Sequence, residues 1–484
     1  MMSSTSDERA IGNQGGVYFR NGFVITESGR QVPARPGWQH AVLGGLQLLT
    51  HPDTSVTAGS AHGIHVAILG SAFDPERAVF AESAVLEQLL DDIQHEDAFY
   101  ATLDRLAGRF ALVVHSPAGT EIYQDAMGSR SVFYSAAGPA VAASHAELVR
   151  EAIGANFADF FVPFIMSKNY VQRDVKYLPG VASPYENVLQ LTPNTKLHLT
   201  EQRPERFWPR EEAGEQIGNE DAAAVLVGHL EGMAAYLKHR ASRPVLGLTA
   251  GTDSRGVFAA VKDLNPYVFT YVRSEKGNVV NSKDARIAGE LAQQYGLHAH
   301  VWGIPNRLTL NNADDVFSHA YRLATAYYRG AGSAWLAELT KSAVEVPDGL
   351  FVRGFGGEVM RGFYQGTMNQ VSGVSVRQLA NAYDVNSGSN VTRNLFGDMM
   401  DRTSFTTERL AGYDPNDIFY WEHRMGTWGS VSLTEADLAM PAMVGYNSRN
   451  LFKAFMRLSG PDRLSRVAFD LATNALAPKL AAVQ

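Results

Sequence analysis

The fold of the second half of this chain is decided by the stretch Pro244-Val245-Leu246-Gly247-Leu248-Thr249-Ala250-Gly251-Thr252-Asp253-Ser254-Arg255. Its first five residues predict a buried β-strand, and the small and polar residues after them predict a turn into a helix. Ligands of open α/β sheets bind beyond the carboxyl ends of the strands, where a helix amino terminus offers N–H groups to an anion. The stretch therefore predicts a site for a phosphate group.

Strand and helix patterns alternate on both sides of this stretch. The predicted elements are a helix over 221–238, the strand 244–248, a helix over 256–262, a strand over 267–272, a helix over 283–295 and a strand over 298–302. Such alternation predicts an α/β domain with a doubly wound parallel sheet. From Ala313 onward the pattern is mostly helical, with a glycine-rich loop at 354–357, and the polar segment 386–394 predicts a flexible loop.

The first half of the chain carries short strand patterns instead. Runs such as 65–69 and 110–114 are apolar and bounded by turns, and the periodic run 85–93 predicts a helix packed on a sheet. Prolines at 193, 204 and 209 precede the change of pattern. We therefore expect a layered sheet domain over residues 1–205 and a ligand-binding domain over residues 206–484.

The composition excludes several classes of protein. The chain has 484 residues, 45% of them hydrophobic and 19% charged, which is typical of soluble globular proteins. Its net charge of -8 argues against nucleic acid as a partner. Without cysteine it has neither disulfides nor a cysteine nucleophile. The sequence has no apolar run of the roughly 18 residues that would span a membrane, and we expect a cytoplasmic location without a membrane partner.

The turn after the strand carries three hydroxyl groups and a carboxylate. The hydroxyls could donate hydrogen bonds to phosphate oxygens, and Asp253 could hold a magnesium ion that bridges two phosphates. The turn is not a Walker A loop, because the lysine of that motif is missing. A strand-to-helix turn that is capped by the same side chains remains the structural alternative.

The loop resembles the S-G-G-x-D-S motif of the PP-loop ATP pyrophosphatases, with Thr249 and Ala250 in place of the first serine and glycine. Over nearly its full length the chain resembles the asparagine synthetase family. Segments 106–112 and 124–134 are similar to that family's glutamine amidotransferase domain, and Gly354-Phe355-Gly356-Gly357-Glu358 is similar to its second phosphate loop. The resemblance implies an αββα amidotransferase-like sandwich followed by a PP-loop synthetase domain with extra helices.

The resemblance also implies that ATP and magnesium are the cofactors of an amide-forming reaction that proceeds through an acyl-adenylate. The implied ATP-binding residues are Leu248, Thr249, Gly251, Thr252, Asp253, Ser254, Val272, Arg273, Gly354, Gly356 and Gly357. The implied magnesium ligands are Asp253 and Glu358. A cation is needed at the α-phosphate, and Arg463 lies roughly where the family has a catalytic lysine, with Lys453 and Lys479 as rivals.

Departures from the family pattern shape the expected reaction. The absence of cysteine argues against glutaminase chemistry, as in β-lactam synthetases and lasso peptide cyclases. The amine would come from the small-molecule or peptide substrate that carries the carboxylate, or from a second small molecule. Ring closure within one substrate and homo-oligomer formation stay open. Phe355 stands where the family has a proton acceptor, which leaves Glu358, Tyr364 and His423 as candidates. The alternatives are a catalytically degenerate scaffold and a PP-loop enzyme that activates a nucleic acid.

Two weaker patterns are interpreted structurally. His298 and His300 share one face of a strand, as a metal pair would, but no third ligand is near in sequence, so an ordinary strand is favoured. The aromatic segment 419–428 mixes acid, imidazole and guanidinium groups. We expect a buried helix whose polar groups pair with each other, in preference to a substrate wall.

Overall fold

A computed structural model describes residues 16–30, 32–33, 35–275, 278–279, 282–305, 316–328, 334–365 and 373–482. The strands are β1 (Phe23–Glu27), β2 (Gln39–Leu43), β3 (Leu46–Thr50), β4 (Val56–Ala61), β5 (Ile64–Phe73), β6 (Ala107–Ser116), β7 (Gly119–Gln124), β8 (Phe133–Ser135), β9 (Val141–Ala143), β10 (Val188–Gln190), β11 (Thr195–His198), β12 (Arg203–Arg206), β13 (Arg243–Gly247), β14 (Tyr267–Glu275), β15 (Asn278–Val279), β16 (Ala299–Pro305), β17 (Gly349–Arg353) and β18 (Ala442–Val444).

The helices are α1 (Glu82–Asp92), α2 (Glu96–Arg105), α3 (Ala146–Ile153), α4 (Phe161–Ile165), α5 (Lys168–Gln172), α6 (Asn219–His239), α7 (Thr252–Val261), α8 (Lys283–Gln293), α9 (Val316–Ala324), α10 (Ala334–Glu345), α11 (Gly357–Met360), α12 (Val376–Tyr383), α13 (Asn390–Thr403), α14 (Pro415–Phe419), α15 (Ser430–Asp437), α16 (Arg449–Met456), α17 (Gly460–Ser465) and α18 (Val467–Leu476). A π-helix, Tyr420–Gly429, joins α14 to α15. Short 3-10 helices lie at Lys262–Leu264 and Pro478–Ala482.

The first half of the chain forms two antiparallel sheets that stack face to face. The strand orders are β10-β8-β9-β1-β3-β2 and β12-β11-β7-β6-β5-β4. Apolar side chains of both sheets, such as Ile25, Leu48, Leu69 and Val113, share one buried core. Helix α1 packs on β4 and β5, and α3 packs on β8, β9 and β10, so helices cover the outer faces. The predicted αββα layering is confirmed.

The third sheet is parallel apart from the short strand β15, and its parallel strands have the order β16-β14-β13-β17-β18. The chain winds outward from β13 through β14 to β16, then returns to the other side of β13 as β17 and β18. This reversal is the strand order of a doubly wound fold. The predicted α/β class is therefore confirmed.

Several predicted boundaries differ from the structure. Helix α7 begins at Thr252, where the first-turn polar residues start, four residues before the predicted helix. Segment 386–394 is not wholly a loop, because the Ser389 side chain accepts a hydrogen bond from the Thr392 N–H and begins α13. Strands β17 and β18 were not predicted. Strand β12 crosses the predicted domain boundary at 205/206, which remains a prediction.

Buried polar side chains join the sandwich to the second half of the chain. Arg109 pairs with Asp437 at 2.7 Å, and the Asn447 amide donates to the Asp125 carboxylate at 2.9 Å. These contacts are buried and span more than 300 residues of sequence. Among the described residues, no helix is long and apolar enough to cross a membrane.

Candidate functional site

The parallel sheet has its topological switch point between β13 and β17. The two strands lie side by side, with Val245 opposite Phe351, and the connections leave them in opposite directions. Such a point opens a crevice at the carboxyl ends of the strands, which is the usual ligand site of this class of fold. A cavity of about 310 Å³ lies there. Its lining includes Thr249, Gly251, Asp253, Ser254, Phe269, Tyr271, Asp284, Trp335, Arg353, Gly354, Phe355 and Glu358.

The first loop, residues 248–251, is held by hydrogen bonds of its own. The Thr249 N–H donates to the Ser254 hydroxyl at 3.1 Å, and the Gly251 N–H donates to the Thr249 hydroxyl at 3.1 Å. The Ala250 N–H donates to the Asp284 carboxylate at 2.8 Å. Loop N–H groups are thus used to shape the turn. The N–H groups suited to an anion are those of the first turn of α7, which have no acceptor within a helix.

The second loop, residues 354–357, packs directly against the first. An ideal Cβ at Gly354 would lie 3.1 Å from the Asp253 carbonyl carbon, and a Cβ at Gly357 would overlap the Asp253 carboxylate. Gly356 has a φ of 93°, and a Cβ there would overlap the Tyr446 carbonyl oxygen. Glycine is needed because Gly354 approaches the Asp253 backbone, Gly357 approaches the Asp253 carboxylate, and Gly356 approaches the Tyr446 backbone. The two predicted phosphate loops therefore lie together at one cavity.

Asp253 is already paired with a cation. The Arg361 Nε donates to Oδ1 of Asp253 at 2.9 Å, and Nη2 donates to Oδ2 at 2.7 Å. The side chains are 17% and 16% exposed, so the bidentate pair is largely shielded from solvent. Burial raises the pKa of Asp253, and the charge of Arg361 opposes that rise. The pair links the first turn of α7 to the residue that follows α11.

Glu358 is an acid of the site with one unpartnered oxygen. Its Oε2 atom is buried and has no hydrogen-bond partner in the described part of the chain. Burial, with repulsion from Asp253 as the next cause, raises the pKa of Glu358 to about 7. A carboxyl group with this pKa can hold or release a proton near neutral pH.

The donor set does not fit the resident magnesium ion that the resemblance implies. Each carboxylate oxygen of Asp253 accepts a hydrogen bond from Arg361, and the positive charge of that guanidinium opposes the binding of a second cation at the same carboxylate. No group of three or more acidic or histidine side chains suited to a metal occurs among the described residues. Glu358 by itself offers too few of the oxygen ligands that magnesium requires.

Arg463 does not reach the cavity. Its guanidinium is buried, forms an ion pair with Asp417, and donates to the carbonyl oxygens of Met360 and Val359 at 2.9 and 2.8 Å. These carbonyls belong to α11, the short helix of the second loop. Arg463 therefore holds the loop from behind, and its predicted contact with a phosphate does not follow from this geometry.

The rival lysines also lie elsewhere. The exposed Lys479 approaches the Gln294 carbonyl at 3.4 Å and the Tyr295 ring at 5.4 Å. This is just beyond the carboxyl end of α8, whereas Asp284 of the cavity lies in the first turn, about 15 Å away along the helix. Lys453 forms an ion pair with Glu211.

The other predicted ATP-binding residues divide into two groups. Thr249, Gly251 and Ser254 line the cavity. Leu248 is buried and donates its N–H to the Phe269 carbonyl at 2.7 Å, so its side chain belongs to the core. Val272 is also buried in β14. Thr252 begins α7, and Arg273 lies on β14 with a side chain outside the described set.

Sequence reasoning missed Asp284, Arg353, Trp335 and the pairing role of Arg361. Asp284 could have been found, because it opens the predicted helix after a neighbouring strand. Arg353 lies over the Phe355 ring at 3.9 Å, with Trp335 beside it at 5.6 Å. It could not have been placed, since β17 was not predicted.

The remaining proton-acceptor candidates are buried away from the cavity. Burial lowers the pKa of His423 to about 3 and raises the pKa of Tyr364. The His423 ring stacks on Phe419 at 5.0 Å. Segment 419–428 is helical and mostly buried, as predicted, but the predicted pairing of its polar groups with each other is wrong. Glu422 pairs with Arg206 outside the segment, and neither ring nitrogen of His423 has a hydrogen-bond partner among the described residues. His300 stacks on Tyr267 at 4.2 Å, which agrees with an ordinary strand.

Comparisons with known proteins add little to this geometry. The sequence matches no protein-family model and no curated protein. Among solved structures, one described as the allosteric regulatory enzyme of purine biosynthesis aligns with 60% of this chain and 77% of its own, at 11% identity and a TM-score of 0.26. The glutamine phosphoribosylpyrophosphate amidotransferase from B. subtilis, complexed with ADP and GMP, aligns over 59% and 68%, at 11% identity and a TM-score of 0.22. Similarity at this level carries no argument, and the α/β class rests on the strand topology itself.

Proposed function

We propose that this protein is an ATP-dependent, AMP-forming ligase that joins a carboxylate to an amine supplied by a source other than glutamine. The observation that carries the proposal is the convergence of the strand-to-helix turn at 248–254 and the glycine-rich loop at 354–357 on one cavity at the switch point of a parallel sheet. The cavity combines the amino terminus of α7, the cation Arg353 and the acid Glu358 with its unpartnered oxygen. This set suits a reaction in which a polyphosphate leaves and a proton must be accepted.

The phosphates would bind at the amino terminus of α7. The first-turn N–H groups and the positive end of the helix dipole favour anions there, and the Ser254 and Thr249 hydroxyls lie beside them. The aromatic side chains of Phe269 and Trp335 form an apolar wall suited to a flat base or an apolar substrate body. Magnesium would arrive with ATP, as part of the substrate.

The first reaction step is attack by a carboxylate oxygen of the substrate on the α-phosphorus of ATP. A bond forms between that oxygen and the phosphorus, the bond to the bridging oxygen breaks, and pyrophosphate leaves with its electron pair. Negative charge develops on the transferred group, and Arg353 is the cation that lines the cavity among the described residues. In the second step the amine nitrogen attacks the acyl carbon, and AMP leaves.

The amine loses one proton during the second step, and Glu358 is the candidate acceptor. Its unpartnered Oε2 and its pKa of about 7 suit an acid that is partly ionised at neutral pH. Phe355 cannot accept the proton, and its ring lies under Arg353. Substrates that carry their own amine, whether small molecules or peptides, agree with the absence of cysteine.

Product analysis tests the proposal. The full chain is incubated with ATP, magnesium and pools of carboxylates and amines, and AMP with pyrophosphate is separated from ADP with phosphate. We expect AMP formation that depends on an added acid and that falls in Ser254→Ala, which loses the hydrogen bond to Thr249, but not in the exposed control Ser465→Ala. ADP as the product, or equal AMP formation in Ser254→Ala, would contradict the proposal.

A catalytically degenerate scaffold is the second candidate. The observation in its favour is that Asp253 and Arg463, two residues expected to act on phosphate or metal, are both engaged in ion pairs. Such a protein would bind ATP, as detected by calorimetry, and form no AMP with any substrate pool.

A further inference from the structure

Asp253 is fixed from several sides by neighbours that belong to other elements. Arg361 binds both of its carboxylate oxygens, and the Gly357 backbone lies against the same carboxylate. The Tyr446 hydroxyl donates to the Asp253 carbonyl oxygen at 2.7 Å. Asp253 therefore cannot turn toward a new partner unless the contact between the two loops changes.

Arg361 directly follows α11, the short helix that begins at the last residue of the second loop. Its N–H donates to the Gly357 carbonyl at 3.0 Å, which closes the single turn of α11. The same short segment carries Glu358, whose Oε2 lies buried without a partner among the described residues. The turn of α11 thus carries both Glu358 and the backbone hydrogen bond that holds Arg361, the partner of Asp253.

We propose that Arg361 is a built-in cation that takes the place of a resident divalent metal ion between the two loops. A planar guanidinium with two parallel hydrogen bonds neutralises Asp253 and fixes its position, as a metal ion would. The role of Arg361 is positioning, because it acts through Asp253. Its benefit to catalysis rests on the proposed function, whereas its effect on metal binding does not.

The proposal predicts a gain of metal binding when Arg361 is neutralised. Removal of a positive charge at hydrogen-bond distance leaves the Asp253 carboxylate open to another cation, with Glu358 beside it. Binding of Mn²⁺ to the full chain without nucleotide is measured by electron paramagnetic resonance. We expect Arg361→Gln to bind Mn²⁺ at least about tenfold more tightly than the native chain, because an adjacent charge has been lost. Arg286→Gln, in an exposed pair on α8, is the matched control.

The Asp253→Asn variant, compared with the native chain, supplies a second measurement that does not depend on the folding of Arg361→Gln. We expect Asp253→Asn to leave the Mn²⁺ binding of the nucleotide-free protein unchanged. Loss of native Mn²⁺ binding in Asp253→Asn would overturn the proposal, and so would equal Mn²⁺ binding by a folded Arg361→Gln and the native chain. Failure of AMP formation would overturn the proposed function alone, since these measurements contain no ATP.

Discussion

Two buried glutamates show how differently this molecule treats its acids. Glu422, at the junction between the sandwich and the second half, accepts two hydrogen bonds from Arg206, at 2.6 and 2.8 Å, and a third from Asn194 at 3.1 Å. Glu358, at the two-loop cavity, has a buried Oε2 without a hydrogen-bond partner among the described residues. One acid is fully satisfied by its own protein and the other is not.

The difference indicates which region serves structure and which serves a ligand. Burial of an unpaired polar group costs stability, so native proteins pair nearly all such groups. At the junction the acid, its guanidinium and its amide neighbour form a closed set. At the cavity, by contrast, the Oε2 atom of Glu358 has no hydrogen-bond partner among the described residues, and the pKa of Glu358 is raised. Acids of this kind are concentrated at functional sites.

The largest expected effect comes from breaking the junction. Arg206→Met leaves Glu422 charged and unpaired in a fully buried position, which should lower the free energy of unfolding by about 3–5 kcal/mol. Urea denaturation measures the loss. Lys341→Ala, in an exposed pair with Glu338, should change stability by less than about 0.5 kcal/mol. If the two variants lost similar amounts of unfolding free energy, the Arg206–Glu422 pair would not be a structural contact of the junction.

The next effect tests the contact between the loops. Gly357→Ala places a Cβ where the Asp253 carboxylate lies, so the Asp253–Arg361 pair must shift. We expect AMP formation to fall by about tenfold or more and stability by about 1–3 kcal/mol, as for a displaced buried group. Gly388→Ala, with open space around its Cβ position, is the control. Unchanged turnover in a folded Gly357→Ala would show that the loop contact does not serve the reaction.

The third prediction concerns the pH dependence of stability. The folded chain raises the pKa of Glu358 from an ordinary value of 4.5 to about 7, so the folded state holds this proton more tightly than the unfolded state. The resulting stabilisation is complete below pH 4.5 and is lost as pH rises through about 7. Glu358→Gln should lack this loss, which is about 3 kcal/mol for such a shift.

Denaturation at several pH values measures that difference. Glu290→Gln, at an exposed position on α8, should retain the native pH profile. If the profile of Glu358→Gln also matches that of the native chain over pH 4.5–7, the acid at the cavity is no more perturbed than one in solvent.

The smallest effect is expected at the carboxyl-terminal tail. Lys479 is exposed and lies near Tyr295, at the far end of α8 from the cavity. Lys479→Ala should therefore leave AMP formation within about twofold and stability within about 0.5 kcal/mol, as for most surface substitutions. A large loss of turnover would move the α-phosphate cation to this lysine, as the resemblance first allowed.

The regular elements of the fold were predictable where local patterns are strong. The strand around Val245, the helix after it and the next strand at 267 were all predicted within a few residues. Alternation alone led to the parallel sheet, because successive strands joined by helices must run in one direction. Strand β17 was missed, although it borders the cavity, because its five residues lie in a region of helical pattern.

The strand-loop-helix unit at 244–261 and the glycine-rich loop at 354–357 could both be predicted from the sequence. Apolar periodicity and clustered glycines are local signals of strands, helices and loops, whereas the close approach of Gly356 to Tyr446 is a tertiary contact. The tertiary structure alone decided which charges meet: Arg361 with Asp253, Arg463 with Asp417 and Arg206 with Glu422. Ion pairs between distant segments depend on how the elements pack in space, and one sequence contains no local signal of that packing.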